Sequence, residues 1–260
     1  MDKKFKIKLF YIIFFICLWE IISYLNIYPK ALFPSFLEII KKILDDLLNN
    51  DLLKSIYYSL ILLFKSMSIS LILSFILVFL SKISKYFESL VELLILIFDP
   101  LPSIAIIPLV ILWIGLGQKA IIFIIIHATL WPLVINMLNG LKNLNPKLID
   151  IGDVFEFSLL DKIINIYFFG LLSDIISGLK ISWARGWRAL ISSEMVFGVL
   201  GTSSGLGWYI FERRVYMDTK GLFGGLIIVV IIGLIFEKYG FNTLKNLTVN
   251  KWRKNGKAID

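Results

Sequence analysis

The sequence predicts an all-α, polytopic membrane protein with about six transmembrane helices, an external amphipathic surface helix and a cytoplasmic loop that folds as short helices. Three observations carry this. Apolar residues make up 58% of the 260 positions, above the roughly 45–50% of soluble domains. They gather in runs about 20 residues long, the length that spans a bilayer as a helix. The runs are continuously Leu- and Ile-rich, without the ten-residue alternation of barrel strands, so the backbone groups inside the hydrocarbon must be satisfied within helices. The chain, 1–260, reads as a single membrane domain without an internal repeat or linker.

The first apolar run, from about Leu9 to Leu25, follows a lysine-rich start. It is too long for a signal-peptide core and lacks a small-residue cleavage site, so an uncleaved span is expected. After Phe33-Pro34-Ser35, residues Leu37 to Leu53 place apolar side chains at helical spacing with Lys41, Lys42, Asp45 and Asp46 between them. That pattern predicts a helix lying on the membrane surface. The second span covers about Ile56 to Leu80. The third begins near Leu90 and meets Asp99-Pro100-Leu101-Pro102 before turning apolar again from Ile104 to Leu116. Two prolines remove helix hydrogen bonds and force a break, and a broken helix inside a membrane is tolerated where it lines a cavity or packs on protein. Gly115 to Gly117 predicts a tight turn, and the fourth span runs from Ala120 to about Leu138.

The comparatively polar stretch from Asn145 to Leu179 carries two helix starts. Asn145 reads as an N-cap with Pro146 at the first helical position. Ser158 and Asp161 read as a capping box that opens a second helix. Two short helices between membrane spans are costly to order unless a partner packs on them, so docking is expected within about residues 140–170. The fifth apolar stretch, about Leu171 to Leu200, contains Lys180, Arg185, Arg188 and Glu194. After the glycine- and serine-rich Gly201 to Gly207, the sixth span covers about Leu222 to Phe236, and a basic tail follows.

The net charge of +8 lies at the ends of apolar runs rather than in one aromatic-interleaved patch, so it reports membrane topology and not a nucleic-acid partner. Lys and Arg are concentrated on the side holding both termini and the polar stretch from Asn145 to Leu179. The positive-inside rule puts these in the cytoplasm of a multi-pass protein of the cell (inner or plasma) membrane, and sends the surface helix and glycine-rich segment outward.

Ionisable residues within spans cost about 2.5–3.5 kcal/mol each on insertion scales, so each needs a partner or water. They are Glu20, Lys65, Asp99, Lys180, Arg185, Arg188 and Glu194. At 100° per residue Glu194 points opposite Arg185 and away from Arg188, so it requires a partner on another helix unless Gly186 bends its own. Asp99, Pro100, Pro102, Arg185, Arg188 and Glu194 are the candidate pathway or gate residues. They otherwise act as staples between helices. Glu20 is read as structural. The single cysteine, Cys17, is expected to pack internally, and the single histidine, His127, to hydrogen-bond a helix carbonyl rather than to ligate metal. No metal or cofactor site is expected. No G-x-x-x-x-G-K-[ST] occurs, so an ATP-driven process would need its nucleotide-binding machinery on another chain. A single histidine also argues against His-based hydrolysis, so no enzymatic activity is expected.

Several of these segments resemble the permease subunit of binding-protein-dependent ABC importers, in the branch handling nitrate, sulfonates, taurine, bicarbonate and thiamine-precursor pyrimidines. The matching segments are Leu18-Trp-Glu20, Phe33-Pro-Ser35, Pro100 to Gly115, Gly186 to Met195 and Ser204 to Trp208. The family's Glu-Ala-Ala-x-x-x-Gly signature falls on Asp150, Ile151, Gly152 and Glu156. Its downstream Ile/Val-x-Leu-Pro element falls on Ile166 to Phe169 without the proline, while Gly178-Leu179 matches. The resemblance implies that this loop is a coupling helix, with Asp150, Gly152, Glu156 and Ser158 as its ATPase-coupling residues. It further implies two copies of the chain, two ATPase subunits that bind the ATP, and an external substrate-binding protein, all working across membrane lipid. A small anion or small polar solute is the expected substrate. A glutamate at the signature glycine costs little if the turn avoids positive φ and is strained if it requires it. The competing expectations are a secondary transporter or channel acting without ATP, and a membrane scaffold that transports nothing.

Overall fold

The computed structural model describes residues 3–49, 51–158, 161–198 and 204–250, and their regular structure is entirely helical. In chain order the helices are α1 (Lys3–Tyr24), α2 (Phe36–Leu48), α3 (Asp51–Ile83), α4 (Lys85–Phe98), α5 (Ile107–Ile114), α6 (Gln118–Lys142) and α7 (Pro146–Val154). Then follow α8 (Lys162–Phe168), wound as a π-helix, α9 (Leu172–Phe197), α10 (Leu206–Val215) and α11 (Thr219–Ile235), with a helical continuation through α12 (Phe241–Lys245) to Asn250. Residues 201–203 of the glycine-rich connection and the basic tail from Lys251 lie outside the described residues.

Among the described residues, four stretches are long and apolar enough to cross a membrane: Lys6–Tyr24, Leu52–Ile83, Gln118–Lys142 and Thr219–Thr248. α8 and α9, bent by 67° from one another, are long and apolar enough only when taken together, which gives up to five crossings. The third expected span is the one the two prolines break. It forms α4 and α5, of 14 and 8 residues, each too short at 1.5 Å per residue to cross a core about 30 Å thick. The surface helix stops at Leu48 rather than Leu53. Asn49 ends it, its N–H reaching back to the carbonyls of Asp45 and Leu47, and Asp51 already belongs to the long α3.

The packing separates into two compact units, Met1–Ser59 with Glu194–Ile231, and Leu60–Ser193 with Ile232–Asp260. In the first, the end of α1 anchors the start of α2. The Glu20 carboxylate accepts the Phe36 N–H at 2.8 Å, and Trp19 Nε1 donates to the Pro34 carbonyl at 3.0 Å. The Ser35 hydroxyl caps α2 by accepting the Glu38 N–H at 3.2 Å. These bonds satisfy the donors that every helix start leaves open, which is the structural role expected of Glu20. From Leu9 to Leu18 α1 is apolar all round, and only 6% of its spanning window is buried within the chain. Cys17 is therefore exposed on it, contrary to the internal packing expected.

α2 buries Ile39, Ile43 and Asp46. The Asp46 carboxylate accepts hydrogen bonds from the Tyr209 hydroxyl on α10 and, at 2.9 Å, from Lys42, with Arg213 at 3.9 Å. Burial pushes the Asp46 pKa up, but these bonds and the positive charges of Arg213 and Lys42 outweigh it and hold the group below the usual carboxylate value. A depressed native pKa contributes stability that is present above the unfolded value of about 3.9 and is lost as pH falls through the native one. Asp46→Asn is therefore expected to cost about 1–3 kcal/mol at neutral pH, since it takes the charged acceptor from the Tyr209 hydroxyl and Lys42 and leaves Asp218 as the one carboxylate beside Lys42 and Arg213 among the described residues. It should also flatten the acid limb of a melting curve recorded against pH.

The second unit is built on a seam of small and hydroxylated residues where α3, α6 and α9 meet, the means by which helices approach closely in a membrane. Thr129 on α6 is its hub. Its hydroxyl lies 2.6 Å from that of Ser70 on α3, and its carbonyl accepts from Ser182 on α9 at 2.7 Å. A Cβ on Gly186 would meet the Thr129 methyl at 2.5 Å. Gly186 thus serves close packing, and α9 runs on through it as a continuous helix. On the same stretch of α9, Trp183 packs on Phe236 with ring centroids 4.2 Å apart, and Lys180 pairs with Glu237 at 3.5 Å.

Candidate functional site at the broken helix

The break in the third span forms a cavity. Phe98 ends α4, and residues 99–106 pass through turns closed by Leu101 N–H to the Phe98 carbonyl and Ala105 N–H to the Pro102 carbonyl. Asp99, Pro100, Leu101, Pro102, Ser103 and Ile104 form one wall of a cavity of about 490 Å³. His127 and Ala128 of α6 and Arg185, Arg188, Ala189 and Ser192 of α9 form the others. Five of the six residues named as pathway or gate candidates are therefore brought together.

Within the cavity Arg185 donates to Asp99 at 2.5 Å. Asp99 caps the C-terminus of α4, the negative end of the helix dipole, so an unpaired carboxylate there would be repelled and the guanidinium offsets this. Arg188 Nε donates to the Ala184 carbonyl of its own helix at 2.9 Å, leaving the rest of its guanidinium fork for the cavity. One carboxylate thus faces two guanidinium groups. His127 is not held by a helix carbonyl as expected. Both of its ring nitrogens are buried without a hydrogen-bond partner, and the ring stands edge-on to Phe98, which stacks on Trp131 at 5.5 Å. The ring stands in the cavity wall, a position that its place in an apolar run did not reveal.

Glu194, the sixth candidate, does not line this cavity. Its carboxyl group accepts the Ser59 hydroxyl of α3 at 2.7 Å and the Gly207 N–H at the start of α10 at 2.9 Å, while Ser59 Oγ accepts the Leu206 N–H at 2.8 Å. This supplies the partner on another helix that its position demanded. Gly205 packs directly on the carboxyl, which leaves no room for a Cβ. Lys65, another of the ionisable residues within the expected spans, is exposed on α3 and is not part of the cavity wall. The spacing Gly201-Thr-Ser-Ser-Gly205 is formally G-x-S-x-G, but a nucleophile elbow turns from a strand into a helix, and here the flanking elements are α9 and α10.

The polar stretch that begins at Asn145 forms as its caps predict. Asn145 Oδ1 accepts the Lys147 N–H at 3.0 Å with Pro146 opening α7. Ser158 and Asp161 make the reciprocal bonds of a capping box, Asp161 N–H to Ser158 Oγ and Ser158 N–H to Asp161 Oδ2, both 3.2 Å. Gly152 is buried, and the Ile166 side chain of α8 occupies the place a Cβ would take. Asp153 pairs with Lys162, fastening α8 further. Asp150 is exposed, and Leu148, Ile151 and Phe155 are 43%, 49% and 70% exposed. At 100° per residue these three lie within 60° of one another on α7, forming an uncovered apolar stripe.

The profile of the binding-protein-dependent transport system inner membrane components matches residues 43–237. The chain belongs to that family. Among its relatives is SsuC of Bacillus subtilis (strain 168), provisionally named an aliphatic sulfonates transport permease, 25% identical over 242 residues that cover 92% of this chain and 84% of SsuC. The taurine transport system permease protein TauC of Escherichia coli (strain K12) is 24% identical over 150 residues, 58% of this chain and 53% of TauC. The nitrate import permease protein NrtB of Synechocystis sp. is 24% identical over 156 residues, 60% of this chain and 55% of NrtB. In this inner membrane component the loop differs from the signature at a residue whose backbone explains the usual glycine. Glu156 has φ of 51°. Its N–H reaches the Asp153 carbonyl at 3.1 Å and that of Phe157 reaches Gly152 at 2.9 Å, the two bonds of a Schellman cap whose left-handed residue is ordinarily glycine. Glu156→Gly is expected to stabilise the loop by about 1 kcal/mol, read as slower limited proteolysis between Asn145 and Ser158.

Proposed function

We propose that the chain is the transmembrane permease subunit of an ATP-driven importer in which two copies form the substrate path. Separate ATPase subunits bind the ATP and dock on α7, and an external binding protein delivers a small anion. The observation that supports ATPase coupling above all is α7 itself, a helix capped at both ends that turns Leu148, Ile151 and Phe155 outward. Glu156 and Ser158 follow the C-terminal end of that helix, Asp150 is exposed on its other side, and Gly152 lets α8 pack beside the stripe. On this reading α7 and both termini lie in the cytoplasm, α2 lies outside, and the chain forms one permease domain of the cell membrane. Closure of the ATPases draws the two α7 helices together and switches the spans between inward- and outward-open. The cavity at Asp99, Pro100 and Pro102 lies on the path, where Arg185 and Arg188 offer more positive charge than Asp99 cancels, which favours an anion over a cation. The test is uptake into proteoliposomes holding this chain and a co-expressed Walker-motif ATPase, with the binding protein outside. Accumulation that requires both ATP and the binding protein supports the proposal. Uptake of equal rate without ATP supports a secondary transporter instead.

A further inference from the structure

A second cavity, of about 460 Å³, opens among α3, α6, α7 and α8 where the α3 span ends. That volume falls within the roughly 300–1,000 Å³ of pockets that hold small ligands. Its wall is apolar, with Phe75, Val78, Met137, Phe168 and Leu171 among its residues, and Lys82 and Lys162 are its two cations. Lys162 already carries Asp153. Lys82, in the last turn of α3, is exposed, lies 6.0 Å from the Tyr167 ring centroid, and pairs with no carboxylate among the described residues. An apolar cavity excludes water, and at the end of a membrane span the filler at hand is an acyl chain. A lysine standing unpaired at the same level selects a phosphate headgroup, as basic pockets between transmembrane helices do.

We propose that this cavity binds an anionic phospholipid, with an acyl chain against Phe75, Val78 and Leu171 and the phosphate at Lys82, assisted by Lys162. Occupancy bears on α7, because Lys162 and Ile166 of α8 are the residues that fasten α7 through Asp153 and Gly152. The site does not depend on ATPase docking or on the transported solute, so it stands or falls separately from them.

The experiment is competitive lipid retention. The full chain, stripped in detergent, is offered equal amounts of phosphatidylglycerol and phosphatidylcholine of identical acyl composition, and retained lipid is counted by native mass spectrometry. One unpaired lysine near a headgroup predicts a preference of about fivefold for phosphatidylglycerol. Lys82→Gln should abolish that preference, and Lys85→Gln, just beyond the end of α3 and away from the cavity wall, should leave it. Asp153→Asn frees Lys162 and should raise the preference, a gain that misfolding cannot imitate. Equal retention of the two lipids in the wild type overturns the proposal, as does an equal loss in Lys82→Gln and Lys85→Gln or an unchanged preference in Asp153→Asn.

Discussion

Glu194→Ala is expected to lower the stability of the protein by about 3 kcal/mol, because it strips acceptors from two buried donors at once. The Ser59 hydroxyl and the Gly207 N–H both end on this carboxyl, and Ser59 in turn orients on the Leu206 N–H. Glu194 is 2% exposed and Ser59 is fully buried, so water does not replace what is lost. The carboxyl also does the work of an N-cap for α10, whose own cap residue, Gly205, has no side chain to offer. Ser59→Ala should cost less, about 1–2 kcal/mol, since Gly207 keeps its acceptor and only the Leu206 N–H is orphaned. Thermal unfolding in detergent, followed by loss of the monodisperse peak, gives the ranking. A Glu194→Ala protein no less stable than Ser59→Ala would show that the carboxyl is not the hub.

Removing either partner of the Asp99–Arg185 pair is expected to cut transport by more than about tenfold, the equivalent of about 1.4 kcal/mol in the rate-limiting barrier. Arg185→Ala leaves a carboxylate at the negative end of α4. Asp99→Ala leaves the cavity with two guanidinium groups and no counter-charge. Breaking a fully buried pair costs about 3–5 kcal/mol. These side chains are 24% and 40% exposed, so screening should reduce the stability loss to about 1–2 kcal/mol. The double variant should be more stable than the sum of the single losses predicts, a coupling read from a double-mutant cycle. Arg188→Ala is the contrast, since its Nε bond ends on its own helix at Ala184. Folding should be unchanged while half-saturating anion concentration rises.

The parts of this account that were legible in the sequence are those with local chemical signals. Asn145 before Pro146, Ser158 before Asp161 and the paired prolines 100 and 102 each act on backbone within a turn of themselves, and the caps and the break appear where those residues stand. Helical periodicity likewise separated Glu194 from Arg185. What periodicity does not carry is which residues of distant helices meet. Arg185 and Asp99 are 86 positions apart and Glu194 and Ser59 are 135 apart, so the partners followed only from packing. The same holds for Cys17, which the uniform apolarity of α1 left without a preferred face. It holds also for His127, whose place at the cavity depends on where α9 crosses α6. The positive φ at Glu156 is an intermediate case. The sequence posed the alternative of a strained or unstrained turn, and the backbone chose the strained one.

The central claim is that α7 is where ATP-driven motion enters the chain. The most direct measurement is co-purification from membranes of a co-expressed Walker-motif ATPase with the wild-type chain and with Ile151→Asp, in mild detergent, alongside the yield of each chain in the membrane fraction. Ile151 is half exposed and Asp at its position breaks the apolar stripe without entering the α7–α8 contact at Gly152. The account predicts that the ATPase accompanies the wild type and is lost from Ile151→Asp at equal membrane yield. An ATPase that binds both equally, or that binds neither, would contradict it.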